Sequence, residues 1–332
     1  MPPDDPRIRD PIHLTPVLVP KPWGGRRLAR LNHALPPDQM IGESWEVADL
    51  DPKAVSSVAE PATRVAAGPF TGCTLSELIA LDVESLLGKA ADVAGRFPLL
   101  IKFLDAREHL SVQVHPTESY AASDPTVHVK TESWIVLDAE PGAEVMIGFA
   151  SGVTRDAVLR AIGTPDIVPM LRRVPAVVGA VHHIPAGTVH ALGAGVLVAE
   201  IQTPSDTTFR LYDWAEEYQR APRTIHYQEA ARTIELAWLS PAPLNEGRRS
   251  ATPLVDTPSY VIRRLTLQGG ERHGVEPGIA RVLIVMEGGL QGTGFANPCW
   301  RGEVVLLPAA WSGPVRPRPS ASFLEVVPGI AR

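Results

Sequence analysis

A chain of 332 residues, 45% hydrophobic and 20% charged, has apolar surface enough for one large domain or two moderate ones. Its formal net charge of −6 argues against a general binder of nucleic acid or anionic membranes, yet leaves room for an anionic small substrate held by local cations. Cys73 and Cys299 stand in unrelated contexts and indicate neither a disulfide framework nor a thiolate metal site. The start, "MPPDDPRIRDPIHL", has no apolar signal region, and no apolar run reaches membrane-spanning length, so a cytoplasmic protein is expected.

With 33 prolines and 27 glycines, long helices are interrupted and short strands are punctuated. "HLTPVLVPKPWGG" predicts a strand running into a turn at Gly24 and Gly25, and "GESWEVADL" predicts a strand with mixed faces. "TLSELIALDVESLLG", residues 74–88, pairs an N-capping hydroxyl with a glutamate three residues on and ends in glycine, which predicts one or two helical turns packed beside the sheet. Four strand-like runs follow: "PLLIKFLDA", "LSVQVHP", "TESWIVLDA" and "EVMIGFA". From about residue 154 to 174 the period turns helical, broken at Gly163 and Pro165. Strands resume in "AVVGAVHHIPAGTVHAL", "GVLVAEIQTP" and "TTFRLYDW", and residues 216–234 have helical character. Residues 239–253 read as a linker, and "YVIRRLTL", "RVLIVMEGGL" and "EVVLLPAAW" are strands again. The pattern predicts a mainly β protein, a β-sandwich or jelly-roll barrel interrupted by a helical excursion. "HHIPAGTVHAL" and "VVLLPAAWSGP" echo each other, which points to a duplicated β-domain.

Strand alternation puts Ser111, Gln113 and His115 on one face of "SVQVHP", opposite two valines. Neither open solvent nor an apolar core calls for that trio, whereas an inward-facing polar site does. "HVKTESW" sets Lys130, Glu132 and Trp134 on one face, and "IPAGTVHAL" presents His190 after a turn. A glutamine, two histidines and a glutamate from separate strands form a borderline nitrogen and oxygen ligand set with room for substrate. One histidine on a strand is more often simply hydrogen-bonded; the four together raise the metal reading. His182 and His183 are expected mainly in a lead-in, and His109, His128 and His226 at the surface or in structural roles. Lys102 interrupts an apolar run, and Arg210 sits between Phe209 and Leu211. With Lys130 they suggest a phosphate or another anion, although each alone fits a structural salt bridge, for Arg210 to Asp206 or Asp213. Glu200 shares a face with Val198 and Gln202 and fits either an acid/base or a partner for a cation.

These residues carry a resemblance. "KPWGGRRLARL", "IGESWEVAD", "PLLIKFLDAREHLSVQVHPTESYA", "KTESWIVLDAEPGAEVMIGF", "IPAGTVHALGAGVLVAEIQTPSDTTFRLYDW" and "PRTIHYQEAART" fall in the order of the type I mannose-6-phosphate isomerases, or phosphomannose isomerases, of the short bacterial kind. The resemblance implies a cupin jelly roll with a helical insertion and a second, site-less cupin-like domain: residues 1–245 catalytic, residues 250–332 C-terminal. It places one Zn2+, or another divalent ion, on Gln113, His115, Glu132 and His190. Lys130 and Arg210 become substrate-side cations, and Ser111 and Lys102 face the phosphate. Beyond Glu235 the likeness fades to general strand patterning.

The implied reaction interconverts mannose 6-phosphate and fructose 6-phosphate through an enediol(ate). Arg210 and Lys130 would support the developing charge, and the base is open between Glu200 and a metal-bound water. The competing readings are an iron-dependent cupin oxygenase and a non-catalytic sugar-phosphate-binding protein. The expected partner is a small sugar phosphate, and the sequence leaves the oligomeric state open.

Overall fold

Short apolar runs pair into three sheets among the described residues of the computed structural model, which are 8–53, 55, 58–90, 95–236 and 252–330. One six-stranded sheet runs, in spatial order, Val181–Ile184, Glu132–Ala139, Val196–Gln202, Leu100–Ala106, Val17–Gly25 and Ile41–Val47. A five-stranded sheet runs Phe209–Tyr212, Val112–Val114, His190–Leu192, Glu144–Phe149 and Leu171–Pro175. Their inner faces meet through one apolar cluster: Leu104, Trp134, Val136 and Val198 from the first pack with Val145, Ile147 and Leu192 from the second. This is the sandwich that the strand alternation predicts, and it matches the cupin expectation.

The outer face of each sheet is covered as well. Val112, Val114 and Met146 pack under Val158, Ile167, Ala230 and Ile234 of the helical segments. The expected excursion at 154–174 is a helix Arg155–Ala161 capped by Thr154, then a 3-10 turn Pro165–Met170. Gly163 sits between them at φ 84°, a conformation that glycine adopts without strain. The helix Leu75–Leu86 carries the capping box of Thr74 and Glu77. Helical structure expected over 216–234 is confined to Tyr227–Thr233. Pro222 lies in the stretch before it and disfavours the helical region for the residue it follows.

Ile101, Phe103, Ile135 and Ala199, on the outer face of the six-stranded sheet, pack against Tyr260, Ile262, Ile284, Leu324 and Val326 of the third sheet. That sheet has Tyr260–Leu267, Gly313–Pro328, Arg281–Gly292 and Val304–Leu307 as neighbours, followed by Ile12–Thr15 and Arg64–Val65. Ile12 lies opposite Leu306 and His13 opposite Val305, so a strand from the start of the chain completes the sheet of its end. Gly313–Pro328 had no strand expectation because "GPVRPRP" reads as a breaker. The ladder accommodates Pro317 opposite Leu290, next to a register shift between Gly288 and Leu290. The expected linker at 239–253, apart from its last two residues, and residues 1–7 lie outside the described residues.

Candidate active site

Two strand registers lay out the site. In the five-stranded sheet Gln113 is opposite Arg210 on one side and His190 on the other, so the three side chains share a face. In the six-stranded sheet Glu200 is opposite Lys102 on one side and Trp134 on the other, and Gln202 is opposite Glu132. A cavity of about 650 Å³ has Arg210, Gln113 and Ser111 in its wall, along with Lys102, Lys130 and Glu200. Two larger clefts, of about 800 and 980 Å³, lie elsewhere and contain none of these residues.

Behind Gln113 and Lys130 of that wall His115, Glu132 and His190 converge, their ligand-type atoms within 4.8 Å of one another. Nε2 of His115 is 3.1 Å from Oε2 of Glu132, and Nε2 of His190 is 3.3 Å from Oε1. Each ring's other nitrogen faces a carbonyl: Nδ1 of His115 donates to Thr207 at 3.0 Å, and Nδ1 of His190 to Thr188 at 2.9 Å. Those bonds put the proton on Nδ1 and leave the Nε2 lone pairs pointing at the carboxylate. Burial holds both imidazoles neutral, with His115 pushed down to about 3 by burial and then by the Lys130 charge. Burial acts to raise the Glu132 carboxyl, but the Lys130 ammonium, 3.1 Å away, and the two histidines hold it well below the usual range.

This is a set of hydrogen-bond acceptors facing one another. Neither oxygen of Glu132, nor Nε2 of His115, has a hydrogen-bond partner, although all three are buried. Lone pairs on nitrogen set against carboxylate oxygens repel, unless a cation lies between them. The arrangement fits a divalent ion taken by borderline nitrogen and oxygen ligands. Gln113 joins it from the neighbouring strand, its Nε2 donating to Nε2 of His190 at 3.2 Å while Oε1 accepts from the Ser111 hydroxyl at 3.2 Å. Turning that amide by half a turn presents Oε1 to the cluster, and the Ser111 oxygen then accepts from the amide instead.

The remaining expected residues line the cavity with partners of their own. Glu200 accepts from Trp134 Nε1 at 2.9 Å, and burial together with the Glu132 charge pushes its carboxyl up to about 7. Lys102 is buried, 3.4 Å from Glu43 and 3.4 Å from Asp206, with its ammonium 4.6 Å above the Trp45 ring. Arg210 lines the cavity while Nη1 donates to the Thr224 carbonyl at 2.7 Å and Nε lies 3.8 Å from Asp213. The cavity role and the Asp213 contact, set out above as alternatives, coexist. Asp213 itself is held by Arg223, whose Nε donates at 2.6 Å.

Several wall residues were not singled out from sequence. Lys21, 3.0 Å from Glu43, carries no periodic signal because it precedes a proline, while Asp206, named above as a partner for Arg210, meets Lys102 instead. His226, expected at the surface or in a structural role, is structural and also part of the wall, accepting from the Arg210 backbone N–H at 3.0 Å. His183 meets the Ser133 hydroxyl at 3.0 Å, behind the Glu132 strand, whereas His182 is buried opposite Trp134.

The family model of the phosphomannose isomerase type I catalytic domain matches residues 12–142. A mannose-6-phosphate isomerase of Streptococcus mutans serotype c is 32% identical over 266 residues, covering 79% of this chain and 80% of that protein. The chain belongs to the mannose-6-phosphate isomerase family. The crystal structure of the mannose 6-phosphate isomerase from Bacillus subtilis, at 27% identity, covers 96% of this chain and 99% of its own with a TM-score of 0.80. A zinc-bound mannose 6-phosphate isomerase at 17% identity shares the fold, with a TM-score of 0.69 over 96% of this chain and all, 100%, of its own. Gln113, His115 and Glu132 lie inside the stretch that the phosphomannose isomerase model matches, while His190, Glu200 and Arg210 lie beyond it.

Proposed function

We propose that this chain interconverts mannose 6-phosphate and fructose 6-phosphate, using one zinc ion held by Gln113, His115, Glu132 and His190. The observation that carries the reading is the pair of neutral imidazoles whose Nε2 atoms meet the Glu132 carboxylate beside a cavity lined by Lys102, Lys130 and Arg210. A zinc ion held there would supply an electrophile to the sugar.

The chain's own groups do the rest. Ser111 and Lys102 hold the phosphate, and that remote grip fixes the sugar for reaction. Glu200, a carboxyl with its pKa pushed up to about 7, removes the proton at C2 and returns it at C1. The enediolate formed between those steps carries its charge on the oxygens, where Lys130 and Arg210 oppose it, at about 3 kcal/mol for a well-placed donor. In this proposal residues 1–245 carry the catalytic unit, and the residues from 250 on form a cupin-like support without a site, its sheet completed by Ile12–Thr15 and Arg64–Val65. A histidine–glutamate cluster of ligand geometry occurs among the described residues only at His115, Glu132 and His190. No helix among the described residues is long and apolar enough to cross a membrane. A cytoplasmic setting is proposed from the composition and from the free thiols of Cys73 and Cys299.

The test is to incubate the purified protein with mannose 6-phosphate under nitrogen and follow fructose 6-phosphate. Turnover should proceed without dioxygen, stop with a chelator and return with added zinc. No product under any of these conditions, or product only in air, refutes the assignment.

A further inference from the structure

The loop between the strands Val196–Gln202 and Phe209–Tyr212 is pinned at one end and reaches the cavity at the other. Thr203 Oγ1 donates to the Val129 carbonyl at 2.9 Å, Ser205 Oγ donates to the His128 carbonyl at 3.2 Å, and Gln202 Nε2 donates to the Ser205 carbonyl at 2.6 Å. Past these ties, Asp206, Thr207 and Thr208 form part of the cavity wall. Asp206 Oδ1 lies 3.4 Å from the Lys102 ammonium.

Glu43 meets Lys102 from within the sheet at 3.4 Å, its position held by a 2.7 Å bond from Trp45 Nε1, but it is shared with Lys21 at 3.0 Å. Lys21, Glu43 and Lys102 together sum to one positive charge, and Asp206 brings the group to zero. The side chains also differ in solvent contact: Lys102 is 3% exposed and Asp206 18%. The strand-borne carboxylate is the built-in partner, and the loop-borne carboxylate covers the side of the ammonium that a ligand would use.

We propose that Asp206 is a positioning residue that occupies the anion place on Lys102 in the empty site and is exchanged for the phosphate of the substrate. The inference rests on the reading that Lys102 holds the phosphate, and it adds a specificity to it. A buried lysine keeps one conformation only while its charge is met, so the internal carboxylate keeps the ammonium aimed into the cavity between turnovers. A ligand must outbid that carboxylate. A phosphate dianion can do so, whereas a chloride ion or the hydroxyl of an unphosphorylated sugar offers less charge to the same ammonium. The loop backbone stays tied at Thr203 and Ser205, so the exchange is a movement of the Asp206 side chain.

The experiment measures binding of inorganic phosphate by calorimetry to the zinc-loaded wild-type protein and to Asp206→Asn, Asp206→Ser and Lys102→Met. Removing the competing charge should tighten phosphate about ten-fold or more in both Asp206 variants. Chloride, weak against the wild type, should compete against both. In steady-state kinetics KM for mannose 6-phosphate should fall with kcat within a few-fold of wild type. Phosphate binding that is unchanged or weaker in both Asp206 variants overturns the proposal, and so does a loss of sugar-phosphate affinity with inorganic phosphate unaffected, which would make Asp206 a contact to the sugar. Lys102→Met separates the two layers. If it leaves phosphate binding intact, the phosphate site itself is elsewhere and the underlying reading fails. If it abolishes binding while the Asp206 variants behave as wild type, only the exchange is wrong.

Discussion

Nδ1 of His115 donates to the carbonyl oxygen of Thr207 at 3.0 Å, and through that bond a loop residue decides which nitrogen of the ring is left to hold a metal. His190 receives the same treatment from Thr188 within its own turn. Metal affinity in this site therefore depends on the imidazoles themselves and on backbone carbonyls that no side-chain substitution removes. His115→Ala or His190→Ala should lose most bound zinc and most activity while far-ultraviolet circular dichroism stays close to wild type. Elemental analysis of the double variant decides the matter: a full equivalent of zinc retained would place the metal elsewhere.

The catalytic base can be read from pH. The Glu200 carboxyl is raised to about 7 by burial and by Glu132, against the opposing charges of Lys130 and Lys102. A raised carboxyl is protonated below that value, and a protonated acid cannot take the C2 proton. Activity should fall as pH drops through about 7, and Glu200→Gln should lose about 100-fold or more in kcat together with that acid limb. An acid limb that persists unchanged in the variant assigns it to another group.

His33 gives a pH dependence of the opposite sign, in stability and away from the cavity. Its Nε2 meets Glu46 at 2.7 Å and its Nδ1 meets the Leu31 carbonyl at 2.8 Å, so both ring nitrogens face acceptors and the imidazolium suits the site. Burial alone would lower its pKa, and the bond to Glu46 outweighs that and raises it. A group with a raised folded pKa contributes its full stability below the unfolded value, about 6.5, and loses it as pH climbs through the folded one. The melting temperature of wild type minus that of His33→Gln should therefore shrink as pH rises above about 6.5. A difference that is constant or grows over that range would falsify the assignment.

The proposed metal ligands were legible because strand alternation is a local rule. Ser111, Gln113 and His115 share a face by spacing alone, and Glu132 and His190 stand in stretches whose residue types are unusual for a core. What brings them together is register: Gln113 opposite both Arg210 and His190, and Glu200 opposite both Lys102 and Trp134. Register between distant strands has no signature in a single window of sequence. For the same reason Glu43 and Asp206, which reach Lys102 from another strand and from a loop, could not be paired with it beforehand. The pairing of Ile12–Thr15 with Val304–Leu307 joins segments almost the whole chain apart, which periodicity cannot reveal. The strand Gly313–Pro328 was hidden by its prolines, which the ladder tolerates beside a register shift.

Tyr260 links the C-terminal sheet to the strand that bears Glu132. It is fully buried, and its hydroxyl lies 2.9 Å from Ser133 Oγ, which also meets His183 Nδ1 at 3.0 Å. Tyr260→Phe keeps the ring and removes one hydroxyl from a buried chain of polar groups, a loss of about 1 to 3 kcal/mol. The free energy of unfolding should fall by that amount with kcat within a few-fold of wild type, because Ser133 points away from the cavity. Unchanged stability would mean that Ser133 and His183 satisfy each other without it.

Arg210 is the substitution with most at stake in the mechanism. Its guanidinium has two commitments besides the cavity: a 2.7 Å bond from Nη1 to the Thr224 carbonyl and an approach of 3.8 Å to Asp213. Asp213 does not depend on it, since Arg223 and Arg220 both bind that residue. The Thr224 bond instead fixes the direction of the guanidinium in the cavity wall. Burial and the neighbouring Arg223 lower its pKa to about 10, which still leaves it charged at neutral pH. A fixed, fully charged donor beside the cluster acts most strongly once enediolate charge develops. Arg210→Ala should then lower kcat by about 100-fold or more with a smaller change in KM. Arg210→Lys should recover only part of this, because an ammonium cannot span the Thr224 carbonyl and the cavity together. The opposing outcome is specific: a lowered melting temperature with kcat near wild type would reduce Arg210 to a strut between Thr224 and Asp213.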